Sequence, residues 1–327
     1  MKRTVLMSAF SALMLGLSIS ASASDCPGFL PPNNLKIPVG SAQDRGILEA
    51  QFNNVISTIE KIYKPVVAAQ GKVLQINRLW TNDTVNANAS QSGNRYILNM
   101  YGGLARHEAI TMDGFALVVC HELGHHLGGA PKVSSWASNE GQSDYYANLK
   151  CLRQVFADPA AGAFTQPKNS DELARNACEA SYSSSEDRQL CYRAAMAGKS
   201  VSYLFKALRN ETVTPGFDTP DTNVVTTMMT AHPPTQCRMD TYLAGSLCTQ
   251  PVSAPLSSTD PTVGTCTRAA GFTAGFRPLC WYKPAKASEL LPPGAPAVLD
   301  SPETFTGHAF SVLNGANPWR GFTPAAR

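Results

Sequence analysis

Residues 115–125 read Phe-Ala-Leu-Val-Val-Cys-His-Glu-Leu-Gly-His. An unbroken apolar run, Phe115 to Val119, leads straight into His121-Glu122-Leu123-Gly124-His125. On a helix, positions i and i+4 stand one turn apart on one face. Two imidazoles so placed can hold one metal ion, and Glu122 beside them can take a proton from a water that the ion polarises. That is the minimum apparatus for hydrolysing a peptide bond with zinc. The same five residues also suit a helix end with two hydrogen-bonded histidines. A third ligand and a group facing the reacting carbonyl decide between the two readings.

Thr111 or Asp113 is a good cap for the start of this helix, and Gly128-Gly129 should end it. Two patterns could supply the third ligand. The metzincin pattern extends H-E-x-x-H to H-E-x-x-H-x-x-G-x-x-H. Gly128 is in place, but Pro131 stands where the last histidine is needed, and proline cannot bind a metal. The alternative is a glutamate on the next helix, expected from about Ser138 to Phe156 with Ala147, Cys151, Leu152 and Val155 on its apolar side. Glu140 opens that helix, and Asp144 lies one turn further on the same face. Glu140 can then ligate the metal while Asp144 accepts the N–H of a ligand histidine. Acids at a helix start are also favoured by the helix dipole alone, so that plainer reading stays open.

Outward from this centre, Ile47, Leu48, Phe52, Val55, Ile56, Ile59 and Ile62 recur at helical spacing, with Pro65 expected past the helix end. Residues 72–80 and 95–101 read as strands. Between them, residues 84–90 are polar and Asn-rich, as suits an edge strand. Residues 158–210 suggest short helices, and about 233–245 another helix. Beyond about residue 250 the composition shifts to Pro, Gly, Thr and Ser.

The 327-residue chain is 43% hydrophobic and 16% charged, which suits a globular protein with a core. Its net charge of +3 has no basic run behind it, so nucleic acid is not an expected partner. Lys2 and Arg3, the apolar stretch Val5 to Ile19, and Ala21-Ser22-Ala23 read as a secretory signal cleaved after Ala23, leaving no transmembrane domain in the mature chain. The nine cysteines all follow it and are expected in disulfides, with an odd one left over. Cys120, inside the apolar helix, is the expected free thiol. Cys178 with Cys191, Cys237 with Cys248 and Cys266 with Cys280 are the expected local pairs.

Four segments, in order, resemble the gluzincin metallopeptidases that include the HtpX stress proteases, the BepA-type periplasmic proteases and the CAAX prenyl proteases. Asn86-Ala87-Asn88-Ala89 is similar to that family's N-A-x-A edge strand. His121 to His125 is similar to its zinc helix. Glu140-Gly-Gln-Ser-Asp144 is similar to its E-x-x-x-D helix, with Ser143 where alanine is usual. His232-Pro-Pro-Thr-Gln-Cys-Arg238 is similar to its H-P-P-x-x-x-R segment. The resemblance covers roughly residues 45–245.

The resemblance implies one catalytic Zn²⁺ on His121, His125 and Glu140, Glu122 as general base, and Asp144 behind a ligand. It also implies that His232 and Arg238 share the negative charge that develops on the attacked carbonyl oxygen. A substrate polypeptide would add a strand along Asn86 to Ala89. His232 could instead close the open metal position and keep the protein latent.

The expected architecture is a compact, helix-rich α+β zincin domain over residues 24–250. It has a small sheet with an exposed edge strand, and a loop-rich, disulfide-containing extension over 251–327. The expected function is an exported, periplasmic or secreted, zinc-dependent endopeptidase acting on extended or unfolded polypeptides. A chaperone-like binding protein with a latent or structural zinc site is the alternative, as is a zinc hydrolase of cell-wall amide bonds. Oligomeric state is left open by the sequence.

Overall fold

The computed structural model describes residues 24–25, 28–164 and 170–291. The expected signal segment, Cys26 and the tail from residue 292 lie outside the described residues.

The fold is mixed: helices around a small sheet. Strand β1 is Ser24–Asp25 and helix α1 is Glu49–Ala68. Strands β2 (Val73–Leu79), β3 (Ala87–Ser92) and β4 (Arg95–Tyr101) follow. A single helical turn, α2 (Gly102–Ala105), leads to α3 (Met112–Leu127). Helix α4 (Glu140–Tyr146) continues through a π-helical turn, Ala147–Cys151, into α5 (Leu152–Ala157). Helices α6 (Glu172–Ser181), α7 (Ser185–Leu208) and α8 (Thr235–Leu247) complete the body. No described helix is long and apolar enough to cross a membrane.

Helix α3 is the axis of the fold. Its cap is as expected: the Thr111 side chain accepts the Gly114 N–H at 3.0 Å. Every residue from Met112 to His126 is buried. Its run Phe115 to Cys120 is apolar on all sides, as suits the inside of a protein, and α3 packs against α1, α4, α7 and the sheet. Its buried Asp113 is held by Arg193 of α7 through two bonds of 2.7 and 2.8 Å. Helix α1 lays Phe52, Val55, Ile56 and Ile59 on this core. It also runs one turn past Pro65, which sits inside the helix rather than beyond it. Proline within a helix costs about 3 kcal/mol. Tyr63 and Val67 continue the buried stripe across it, and each fully buried apolar side chain returns about 1.5–3 kcal/mol.

The sheet order is β1-β3-β4-β2. Strands β2 and β4 are parallel, with Val73 opposite Arg95, and β3 is antiparallel to β4, with Ala87 opposite Met100. The expected exposed edge is not open. Ser24 and Asp25 pair antiparallel with Gln91 and Ser90, and the Phe29 N–H donates to the Ala87 carbonyl at 2.8 Å. The chain's own Ser24, Asp25 and Phe29 thus take the outer side of β3. A pairing between residues some sixty positions apart leaves no local trace in sequence.

Two further expectations are corrected. Residues 251–291 are loop-rich but belong to the body. The Tyr145 hydroxyl donates to the Gly275 carbonyl, the Trp281 indole N–H donates to Thr241 Oγ1, and Trp281 is fully buried. The cysteine pattern also differs. Cys178–Cys191 forms as expected, but the other bonds are Cys120–Cys151, Cys237–Cys280 and Cys248–Cys266. Cys120 is therefore not free, because α3 packs on the π-helical turn and brings the two Cα atoms to 5.6 Å. Such bonds point to an oxidising compartment. Replacing Cys120 and Cys151 together by alanine should cost about 2–5 kcal/mol, read as a lowered urea midpoint at an unchanged slope. An unchanged midpoint would show that this bond contributes nothing to stability.

Candidate metal centre

Helices α3 and α4 meet closely enough to share one site. Gly124 makes this possible: a Cβ there would lie 3.0 Å from both the Cα and the carbonyl oxygen of Ser143. On α3, His121 and His125 present their rings edge to face, with centroids 4.8 Å apart. Asn139 caps α4 by accepting the Gln142 N–H at 2.8 Å, which places Glu140 at the first helical position, facing the two histidines.

His121 Nε2 lies 3.3 Å from Glu140 Oε2, and His125 Nε2 lies 3.7 Å from Glu140 Oε1. One donor atom from each of the three residues falls within 4.8 Å of the others, so this buried group could bind a metal ion. The fit is tested by what the donors lack. His121 Nε2, His125 Nε2 and Glu140 Oε2 are buried without a hydrogen-bond partner. Three converging orphans would be costly unless something else satisfies them. Asp221, Cys237 and Cys280 also cluster, but the two sulfurs are bonded to each other and offer no thiolate.

The other ring nitrogens fix the tautomers. His121 Nδ1–H donates to Asp144 Oδ1 at 2.7 Å, and His125 Nδ1–H donates to the Ser138 carbonyl at 2.9 Å. A carbonyl can only accept, so the His125 Nε2 lone pair is left for the metal position. Ser138 carries no side-chain signature of this role, because its backbone performs it.

Arg238, from α8, is fully buried and grips Asp144 through Nε and Nη2, both at 2.7 Å. Burial alone would push the Asp144 carboxyl up, but Arg238 and His121 outweigh it and hold the carboxyl below its ordinary value. Without metal, burial opposes a charge on His121, yet Asp144 and Glu140 raise its pKa to about 9. His125 goes the other way, lowered by burial to about 4.

Glu122 follows His121 on α3, near enough to feel the charges of His121 and Glu140. Both its oxygens are buried and without a partner, and burial pushes its carboxyl up to about 8. His232 lies just before α8, and its Nε2 is 3.5 Å from Glu140 Oε2. His232 does not turn to the metal position. Its Nε2–H donates to the Gly28 carbonyl at 2.7 Å, which leaves that nitrogen no lone pair for a metal. Arg238 lies beside it: its Nη1 donates to the Phe29 carbonyl at 3.0 Å, one residue along from the His232 contact. Its Nε and Nη2 are held by Asp144.

Of the expected substrate strand, Asn86 and Ala87 face residues 28–30. The Leu30 N–H donates to Asn86 Oδ1 at 2.9 Å, and Asn86 Nδ2 donates to the Leu30 carbonyl at 3.2 Å. Asn88 instead bonds Asn99 across the sheet, and Ala89 is buried in the core. His126 turns away from the metal group and is stacked between Tyr96 and Trp136. No motif or spacing pointed to Phe29. Its ring lies edge-on to His121 at 4.8 Å and against Phe205 at 5.3 Å.

Comparison with protein-family models, with curated proteins and with solved structures finds no match.

Proposed function

We propose that the protein is a zinc-dependent endopeptidase of gluzincin type. The observation that carries this reading is the partnerless Glu122 carboxylate beside the three orphaned donors of His121, His125 and Glu140. Two imidazoles and one carboxylate form the donor set of catalytic rather than structural zinc. Zinc held there would polarise a water and the carbonyl under attack.

The remaining steps belong to the chain. Glu122 takes the proton from the attacking water and delivers one to the departing amine. His232 donates its Nε2–H to the carbonyl oxygen as negative charge develops there. Arg238 holds the next carbonyl, Ala87 accepts the next N–H, and Asn86 fixes the residue after that, so an extended main chain is read by its backbone. Such pairing tolerates many side chains and suits unfolded polypeptides. The disulfides favour an oxidising compartment for this work, periplasmic or extracellular.

Purified, zinc-loaded protein should hydrolyse casein, and a chelator should stop it. No cleavage of casein or of a peptide library under those conditions would overturn the proposal and favour a binding role.

A further inference from the structure

The cleft already contains a peptide. Gly28, Phe29 and Leu30 pass along it, and each polar contact they make falls on a residue of the proposed machinery. The Gly28 carbonyl accepts from His232 at 2.7 Å. The Phe29 N–H donates to the Ala87 carbonyl at 2.8 Å. The Phe29 carbonyl accepts from Arg238 at 3.0 Å, and Leu30 is bracketed by the Asn86 amide at 2.9 and 3.2 Å. Upstream, Ser24 and Asp25 continue antiparallel to β3. The carbonyl that meets His232 is the one beside the metal group, because the same Nε2 is 3.5 Å from Glu140 Oε2. The next peptide nitrogen is that of Phe29.

Side chains agree with this register. Gly28 has φ +92°, and a Cβ there would approach Asn86 Nδ2 at 3.1 Å and the Ala87 carbonyl at 3.2 Å. Only a residue without a side chain fits comfortably at that turn. The Phe29 ring is fully buried against His121 and Phe205, with the Arg238 guanidinium over its face at 4.6 Å.

We infer that Gly28–Phe29 is a peptide bond the protein cuts in itself. This rests on the peptidase reading. Water is the co-reactant: its oxygen bonds to the Gly28 carbonyl carbon, the Gly28–Phe29 C–N bond breaks, and the proton taken by Glu122 passes to the Phe29 nitrogen. The products are a Gly28 carboxylate and a Phe29 ammonium. An ammonium in a buried pocket, shared with the Arg238 guanidinium, is far costlier than the amide N–H it replaces. The Phe29 stub is loosened, and the cleft opens to other chains. The segment removed carries Cys26; the other eight cysteines are already paired with one another.

The test uses the full chain, exported and purified, as wild type and as Glu122→Gln, with N-termini read by intact mass and sequencing. The wild type should begin at Phe29, and Glu122→Gln should retain residues upstream of Gly28. A second readout needs no turnover. In metal-free Glu122→Gln, the Phe29 and Leu30 amides should exchange slowly with deuterium. Asn86→Ala added to it should speed Leu30 exchange about tenfold, the worth of one or two hydrogen bonds. Fast exchange at both amides in Glu122→Gln overturns the docking and with it the inference. An intact wild-type N-terminus in a preparation that cleaves a synthetic peptide containing Gly-Phe-Leu overturns self-cleavage and leaves the peptidase reading standing. An intact N-terminus in a preparation that cleaves no peptide overturns both.

Discussion

Glu122→Gln is expected to keep its zinc and lose peptide hydrolysis by about 10²–10⁴-fold, the usual worth of a general base. The substitution preserves shape and leaves His121, His125 and Glu140 untouched. What it removes is the only group in the site with two buried oxygens and no partner. Metal content by elemental analysis and turnover of a peptide substrate separate the two effects, and wild-type turnover with full zinc would sink the mechanism.

The variant also has a stability signature in the metal-free protein. Burial raises the Glu122 carboxyl from 4.5 to about 8. A carboxyl raised in the folded state destabilises the fold progressively as pH climbs through that window. Glutamine carries no such charge. Metal-free Glu122→Gln should therefore melt above metal-free wild type at pH 8, and the excess should disappear below pH 4.5. Melting curves at the two pH values check this. A gap that is the same at both would mean that Glu122 does not titrate as its burial implies.

Asp144→Asn should damage both the metal site and the fold. Asp144 accepts two bonds from Arg238 and one from His121, and all three groups are fully buried. An asparagine keeps one acceptor oxygen and turns a donor toward groups that are themselves donors. Arg238 is then left as a poorly compensated buried charge, a loss of about 3–5 kcal/mol. His121 loses the partner that orients it, and metal affinity should fall about 10–100-fold. Urea unfolding and titration against a competing chelator measure the two losses independently. A variant with lowered affinity and intact stability would show that Arg238 finds other partners, and wild-type values for both would remove Asp144 from the metal site altogether.

Much of the site was legible because its spacing is local. His121 and His125 lie one helical turn apart, and so do Glu140 and Asp144. The apolar stripe of α1, strands β2 and β4, and the Thr111 cap were readable for the same reason. Arrangements set by distant packing were not. The partner of Cys120 depends on how α3 meets the π-helical turn, and no spacing rule reveals it. Helix α7 read as short pieces because Ala, Ser and Gly dilute its apolar pattern. In the fold those small residues are what a crowded junction requires: Ala194 and Ala197 are fully buried, and Ser200 Oγ donates to the Ala109 carbonyl at 2.6 Å. Tertiary context overrides propensity there. The occupant of the β3 edge was hidden because residues 24–30 show no strand pattern that points to residues 86–91.

The bond between Cys120 and Cys151 gives the protein a sense of place. Cys120 immediately precedes His121, and Cys151 closes the π-helical turn that continues the Glu140 helix. The covalent link therefore joins the two helices that carry the three residues able to bind a metal ion. Thiols stay reduced in the cytosol, so a newly made chain carries every ligand there but not the clamp that sets them face to face. Oxidation at the destination fastens the clamp. If the chain is the peptidase proposed above, a site assembled in this order would stay idle until the chain met an oxidising compartment.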